Sequence, residues 1–455
     1  MKHTRYIIRI LCLLVFAGFV ACDSDDDNFT EDDPSGNPGG EVEVPRDSVV
    51  IIEQKLQDTL TLGQTITLQP QWQSGSSVSC RWMIAGEEVG KDSVFTFEPA
   101  ERGDYEISFT VTNDEDEAAV VYKIHTLGGY ENGFFIVNEG WFGHGTGTLS
   151  FYRYDTGAVE DSVFVKANPD KDLLPVSSTL QFGTIHNEQL FLLSKVGGPL
   201  VVADAYSLKE KGRIPAQGGN DWRAFAGLDN SRGLVSSGNG LYNLNLEPLE
   251  MGSRVEGIDG QTGDLIKAGN HVFVLSQSQG AIILNASSLE IEKTIPGIVT
   301  GFAQTADGRV WMAGGTRLIG VEPFSLETVE VELGFQAHGS WGAWHPGSIT
   351  AGDTEVYIAK NSAFSGGNEI YRYTGDTASL SSPFVTLPGE RVTYGSGIGY
   401  DRNAETLVVN TVNKGFGESF SNNLLLLYDA HTAGRKEEKA YEGYYFPSVS
   451  VFHEE

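Results

Sequence analysis

Seven short apolar runs recur from residue 134 to the end of the chain, and their spacing restricts the fold more than any other feature. They are Phe134–Asn138, Gln189–Ser194, Gly233–Ser237, His271–Ser276, Arg309–Gly314, Glu355–Lys360 and Thr406–Asn410. Their starts are 55, 44, 38, 38, 46 and 51 residues apart. Each run is too short for a buried helix and is bounded by Gly, Asn or Asp, which is the pattern of a strand buried on both faces. A fixed unit of this length that cannot bury its own faces must stack against its neighbours.

The unit has four parts. A second set of apolar runs follows the first: Leu149–Tyr152, Leu200–Asp204, Leu241–Leu244, Ala281–Asn285, Leu318–Val321, Glu369–Tyr373 and Leu424–Asp429. More polar segments such as Leu289–Ile295 and Leu326–Val331 come next. Copies two to seven are also preceded by a short strand: Leu180–Phe182, Ala224–Ala226, Leu265–Ala268, Gly301–Ala303, Ser348–Ala351 and Gly397–Tyr400. Copy one lacks it, and the missing strand stands at the C-terminus as Pro447–Phe452. Polarity that rises from inner to outer strand fits a radial stack of four-stranded sheets, a β-propeller. The count gives seven blades over 129–455, with six and eight the neighbouring alternatives. The last strand would complete blade one and leave the ring no open edge.

Residues 46–127 read differently. Strand-like runs at Val49–Ile52, Thr65–Leu68, Val78–Met83, Ser93–Phe97, Tyr105–Val111 and Ala119–Ile124 are separated by turns and predict a small β-sandwich. The stretches Cys80–Glu87 and Tyr105–Asn113 resemble PKD-type, immunoglobulin-like domains, in which the Trp packs between sheets, so Trp82 is expected in the core. The fold class is therefore all-β, a PKD/Ig-like sandwich followed by a seven-bladed propeller.

The first 45 residues belong to neither unit. Lys2, Arg5 and Arg9 precede an apolar segment, Ile7–Val20, too short to span a bilayer. Residues 1–21 thus read as a signal peptide. Val20-Ala21-Cys22 resembles a lipobox, which implies lipidation of Cys22 and an outer-membrane anchor. The acidic run after Cys22 resembles a lipoprotein surface-export signal, and 22–45 reads as a lipidated, acidic, disordered tether. Cys12 would leave with the signal, so Cys80 alone remains and no intrachain disulfide or cysteine-based metal site is expected. The net charge of −30 argues against nucleic acid as a partner.

In a propeller, the loops between strands two and three share one face with the crossings between blades. Here those segments include Glu139–Gly145, Asn361–Gly367, Asn413–Phe420, Asn220–Arg223, Ala337–His345, Arg391–Tyr394 and Tyr441–Phe446. They hold Trp141, Trp222, Trp341 and Trp344, four of the seven Trp, with Phe142, Phe364, Tyr394, Phe416 and Tyr445. The turns of the opposite face are poor in aromatics. Aromatics on glycine-rich loops suit a large, flat or amphipathic ligand. The candidate ligand-binding residues are these nine with His144, Arg223 and His345. Burial of some of these rings between blades, or in the channel, is the competing explanation. No catalytic residue, metal site or cofactor is assigned, since neither a HExxH spacing nor a nucleophile motif occurs.

Residues Phe135–Gly143 and Gly147–Tyr152 resemble a family of propeller surface lipoproteins related to the YncE-like proteins, including the BtuG-type cobalamin-binding lipoproteins. The resemblance covers about residues 130–455. It implies capture of cobalamin or a related corrinoid at the cell surface, as ligand and not as cofactor, with a BtuB-like TonB-dependent transporter as partner. The sandwich at 46–127 departs from the simplest members. The site residues rest on the loop pattern and not on the resemblance. A surface glycan-binding protein is the second reading, and a propeller lactonase or lyase using a His with a carboxylate the third.

Overall fold

A computed structural model describes residues 48–52, 54–339, 348–362, 366–415, 417–443 and 446–453. Seven sheets follow one another from residue 133 to 452. Blade two shows the plan: Thr179–His186 is innermost, then Gln189–Lys195, Leu200–Asp204 and Glu210–Ile214, all antiparallel. Blades three, four, six and seven repeat it, with inner strands Trp222–Gly227, Thr262–Ala268, Ile349–Ala351 and Arg391–Asp401. Blade five keeps the plan, with its second and third strands joined in one tight hairpin. Its Val310–Val321 pairs with Ala303–Gln304 through its first part and with Thr328–Ala337 through its second, and turns back at Gly314 and Gly315, where Gly315 has φ +61°, so that Gly320 lies against the Trp311 ring.

The polarity gradient has its expected cause. Every residue of Gly133–Asn138 and of His271–Ser276 is buried, because these second strands face a neighbouring blade on both sides. The outermost strand Arg435–Glu442 alternates exposed and half-buried residues. Separate apolar clusters fill the gaps between blades. One joins Phe135, Phe151, Leu180, Leu190 and Val201 of blades one and two, and another joins Phe191, Val202, Phe225 and Val235 of blades two and three.

Blade one closes the ring. Its order is Pro447–Phe452, Gly133–Asn138, Thr148–Arg153 and Val159–Glu160. Phe134 pairs with Phe452, Ile136 with Ser450 and Asn138 with Pro447. The C-terminal strand therefore covers the edge that the N-terminal half of the blade would otherwise leave open.

Residues 49–127 form a five-stranded sheet and two two-stranded sheets around one core. Gln57–Thr61 runs parallel to Glu117–Leu127, and the rest of the large sheet is antiparallel. Trp82 is fully buried, 4.7 Å from the Phe109 ring, and its indole N–H donates to the Asp92 carbonyl at 2.8 Å. This unit meets the propeller through Arg102. The guanidinium lies 3.4 Å over the Tyr206 ring and pairs with Glu131 at 3.3 Å and Glu188 at 3.1 Å. Glu188 and Tyr206 sit in the turns between strands one and two and between strands three and four of blade two. The contact therefore lies on the face opposite the Glu139–Gly147 loop.

Closure makes a prediction. A chain ending at Phe446 exposes the full edge of Gly133–Asn138 and loses the Val449 and Val451 contacts with blade two. Its loss of stability is expected to match most of the roughly 5–15 kcal/mol that holds an ordinary domain together. Urea unfolding with size-exclusion chromatography measures this, and aggregation at low denaturant is the expected form of failure.

Candidate functional site

The loop that follows the second strand of blade one is built rather than loose. Gly140 has φ +81°, and a side chain there would strike the Thr146 and Gly147 backbone. The Trp141 N–H donates to the Gly145 carbonyl at 3.0 Å and the His144 N–H to the Trp141 carbonyl at 2.8 Å. The indole of Trp141 stacks on the His144 ring, with centroids 3.9 Å apart and planes 19° apart. Phe142, at the tip, is 57% exposed. Two further bonds tie the loop to the crossing between blades one and two: Gly143 N–H to the Val176 carbonyl at 2.9 Å, and Thr146 hydroxyl to the Leu173 carbonyl at 2.8 Å. Leu174 and Val176 in that crossing, and Val196 in the loop of blade two, are also exposed apolar residues. The face thus carries an apolar rim over blades one and two.

Behind the rim the channel mouth is polar. Glu139, the first residue after the blade-one strand, is buried and pairs with buried Lys195 at 2.6 Å. Its other oxygen accepts the Tyr394 hydroxyl at 2.9 Å. Arg223, also buried, donates to Asp221 at 2.7 Å. Burial pulls the Lys195 ammonium below its ordinary range, opposed by the Glu139 carboxylate beside it. Burial, reinforced by Glu139, holds the Tyr394 phenol well above its ordinary value, so it is a neutral donor.

The inner strands share a device that places these groups. Pairing with the second strand slips between Leu180 and Phe182, between Trp222 and Phe225, between Thr262 and Leu265, and between Thr393 and Ile398. Such bulges bend the strand and re-aim side chains. The residues inside the slips include Gln181, Arg223, Asp264 and Tyr394. Asp264 accepts the backbone N–H of Leu265 at 3.0 Å and of Phe302 at 2.8 Å. Although part of its surface stays open, its carboxylate lies deep in the ring, and burial pushes it up to about 6.

The structure sorts the sequence-derived candidates. Trp141, Phe142 and His144 lie together on the rim. Arg223 and Tyr394 lie at the mouth, but both belong to inner strands and not to the crossings in which the sequence suggested them. Tyr394 is also no exposed platform, since its ring packs against Phe420 and Phe446, 5.9 and 5.4 Å away. Trp222 requires the same correction. It opens an inner strand, is 8% exposed, and packs between blades two and three with Phe191, Val202 and Phe225. Trp341, Trp344, His345, Phe364, Phe416 and Tyr445 lie outside the described residues, as does Cys22.

Sequence reasoning missed Lys195, Gln181 and Asp264 as site residues. The available signal was a lone polar residue in or at the end of an apolar inner or second strand. It also missed Leu174, Val176 and Val196, since it searched the crossings for aromatics alone. Two cavities of about 520 and 500 Å³ open at the other mouth of the ring. There Arg402 is bound to Asp353 and the Gln304 carbonyl, Asp401 to Tyr154, and His453 to the Tyr130 carbonyl. Among the described residues, no group of three His, Cys, Asp or Glu side chains is placed to hold a metal ion.

Comparison with known proteins adds the following. The family described as "Domain of unknown function (DUF5074)" matches residues 132–453. No curated protein matches the chain. Among solved structures, a quinonprotein alcohol dehydrogenase-like protein from Bacteroides thetaiotaomicron superposes with a TM-score of 0.59 at 16% identity, covering 88% of this chain and 97% of that one. PorZ, a surface component of the type-IX secretion system of Porphyromonas gingivalis, gives 0.39 at 13% identity over 77% of this chain and 43% of its own. BamB from Moraxella catarrhalis gives 0.37 at 15% identity over 60% of this chain and 80% of its own. At these identities the likeness to the first structure concerns the fold.

Asp264 gives this mouth a pH signature. Its folded-state pKa lies above the ordinary carboxylate value of 3.8, so the folded protein binds this proton more tightly than the unfolded chain. Its contribution to stability is therefore most favourable below about pH 4, falls as pH rises to about 6, and is level above that. Urea unfolding of wild type and Asp264→Asn across this range is expected to show the difference between them changing only in that window, with the variant gaining relative to wild type as pH rises.

Proposed function

We propose that this chain, which belongs to the DUF5074 family through residues 132–453, is a non-catalytic cell-surface lipoprotein that captures cobalamin or a related corrinoid. In this reading the ligand passes to a BtuB-like TonB-dependent transporter, and a lipid on Cys22 anchors the protein to the outer membrane.

The observation that carries the reading is the pairing of an apolar rim with a polar mouth on one face. Phe142 and the Trp141–His144 stack offer flat apolar surface. The mouth behind them offers buried donors and acceptors. Sites for large amphipathic molecules combine apolar walls with a few fixed polar groups in this way. A corrinoid matches both halves, with a broad ring whose edge carries amides. The position of the sandwich fits as well. Arg102 fastens it to the opposite face, so a tether entering through the sandwich leaves the rim turned away from the anchor. The corrinoid itself comes from the resemblance of Phe135–Tyr152 to the BtuG-type lipoproteins.

Calorimetry of residues 46–455 with cyanocobalamin tests this. One-to-one binding is expected, and replacing Trp141 and Phe142 together by Ala is expected to weaken it at least about tenfold, as the loss of a central aromatic anchor does. Absence of heat at several temperatures, with folded protein, contradicts the corrinoid and directs the search to glycans, whose rings also stack on aromatics.

A further inference from the structure

Two side chains at the mouth have hydrogen-bonding capacity that the protein does not use. Arg223 is 7% exposed. One of its terminal nitrogens donates to Asp221 at 2.7 Å, whereas Nε and the other terminal nitrogen have no partner. Gln181 is fully buried, and neither its amide nitrogen nor its amide oxygen has a partner. The two residues occupy the bulge positions of neighbouring inner strands, in blades two and three. A buried donor without a partner in the protein calls for one from outside it, a water or a ligand.

Charge decides what that molecule presents. Arg223 is balanced by Asp221 and Lys195 by Glu139, so these four charges cancel. Tyr394 is neutral. Asp264, on the next inner strand, adds negative charge above about pH 6. An oxyanion would therefore enter a buried mouth that is already neutral or negative, and would lose its hydration with no free countercharge. A cation would face unpaired N–H groups. A neutral carbonyl avoids both penalties, and a carboxamide also supplies an N–H for the Gln181 oxygen.

We propose that Arg223, with Gln181 on the adjoining strand, receives an uncharged carboxamide or similar carbonyl group of the ligand and discriminates against the corresponding carboxylate. The assignment rests on the reading that the Trp141 face is the binding face. It makes Arg223 a specificity-determining residue: the guanidinium supplies two oriented donors, and the pairing with Asp221 keeps it from acting as an anion trap.

The test uses protein labelled with ¹⁵N at arginine Nε, with the Arg223 signal identified by its loss in Arg223→Lys. Acetamide and acetate are titrated separately. Acetamide is expected to shift the Arg223 signal saturably, at a concentration at least about tenfold lower than acetate, while the signals of distant arginines stay fixed. An equal or stronger response to acetate, or no response to either probe, overturns the assignment. A second arm compares cyanocobalamin with its monocarboxylic acid, in which one side-chain amide is hydrolysed. Failure of both corrinoids to bind contradicts the ligand proposed above and leaves the acetamide result to decide the role of Arg223 by itself.

Discussion

The antiparallel pairing of Pro447–Phe452 with Gly133–Asn138 is the constraint on which the rest depends. It joins residues more than three hundred positions apart in sequence, and the propeller has no closed ring without it. Closure fixes the blade spacing, and blade spacing fixes where the inner strands bring their bulges. The Asn138 and Glu139 backbones illustrate the link. Asn138 pairs with Pro447, and the next residue, Glu139, accepts Leu180 N–H of blade two through its carbonyl at 3.0 Å. The side chain of the same residue holds Lys195 and Tyr394. One short segment thus joins blades one, two and seven and carries the first charge of the mouth.

The mouth is expensive as a structural element. A buried ion pair such as Glu139–Lys195 gives up hydration that its mutual attraction only partly replaces, and apolar residues of the same volume often serve stability as well or better. Arg223 and Gln181 add unpartnered donors to that cost. Polar groups held in a ring of otherwise apolar sheets are easiest to understand as groups retained for something that enters the ring. The opposite mouth makes the contrast, since Arg402, Asp401 and His453 are bound within the protein.

The architecture was largely legible from sequence because it is written in local pattern. A second strand buried on both faces must be a continuous apolar run, and an outer strand must be polar, so the blades could be counted and Pro447–Phe452 matched its strand to the residue. Blade five shows how far pattern reaches. Its middle strands, Arg309–Gly314 and Leu318–Val321 in the sequence, fold as one tight hairpin about Gly314 and Gly315. The site was less legible because it depends on register. Trp222 is one residue from Arg223, yet one faces the gap between blades and the other the mouth. A bulge decides this, and a bulge is a matter of register. Lys195 and Gln181 are buried by neighbours that are distant in sequence, so no local window distinguishes them from exposed polar residues.

The central claim is that the ligand sits on the Trp141 face and not at the other mouth. Hydrogen–deuterium exchange of the protein with and without saturating cyanocobalamin addresses it directly. The account predicts slower exchange in residues 139–147, 173–178 and 195–198, with residues 402–403 and 453 unchanged. Protection confined to the latter group, around the cavities beside Arg402 and His453, would contradict it.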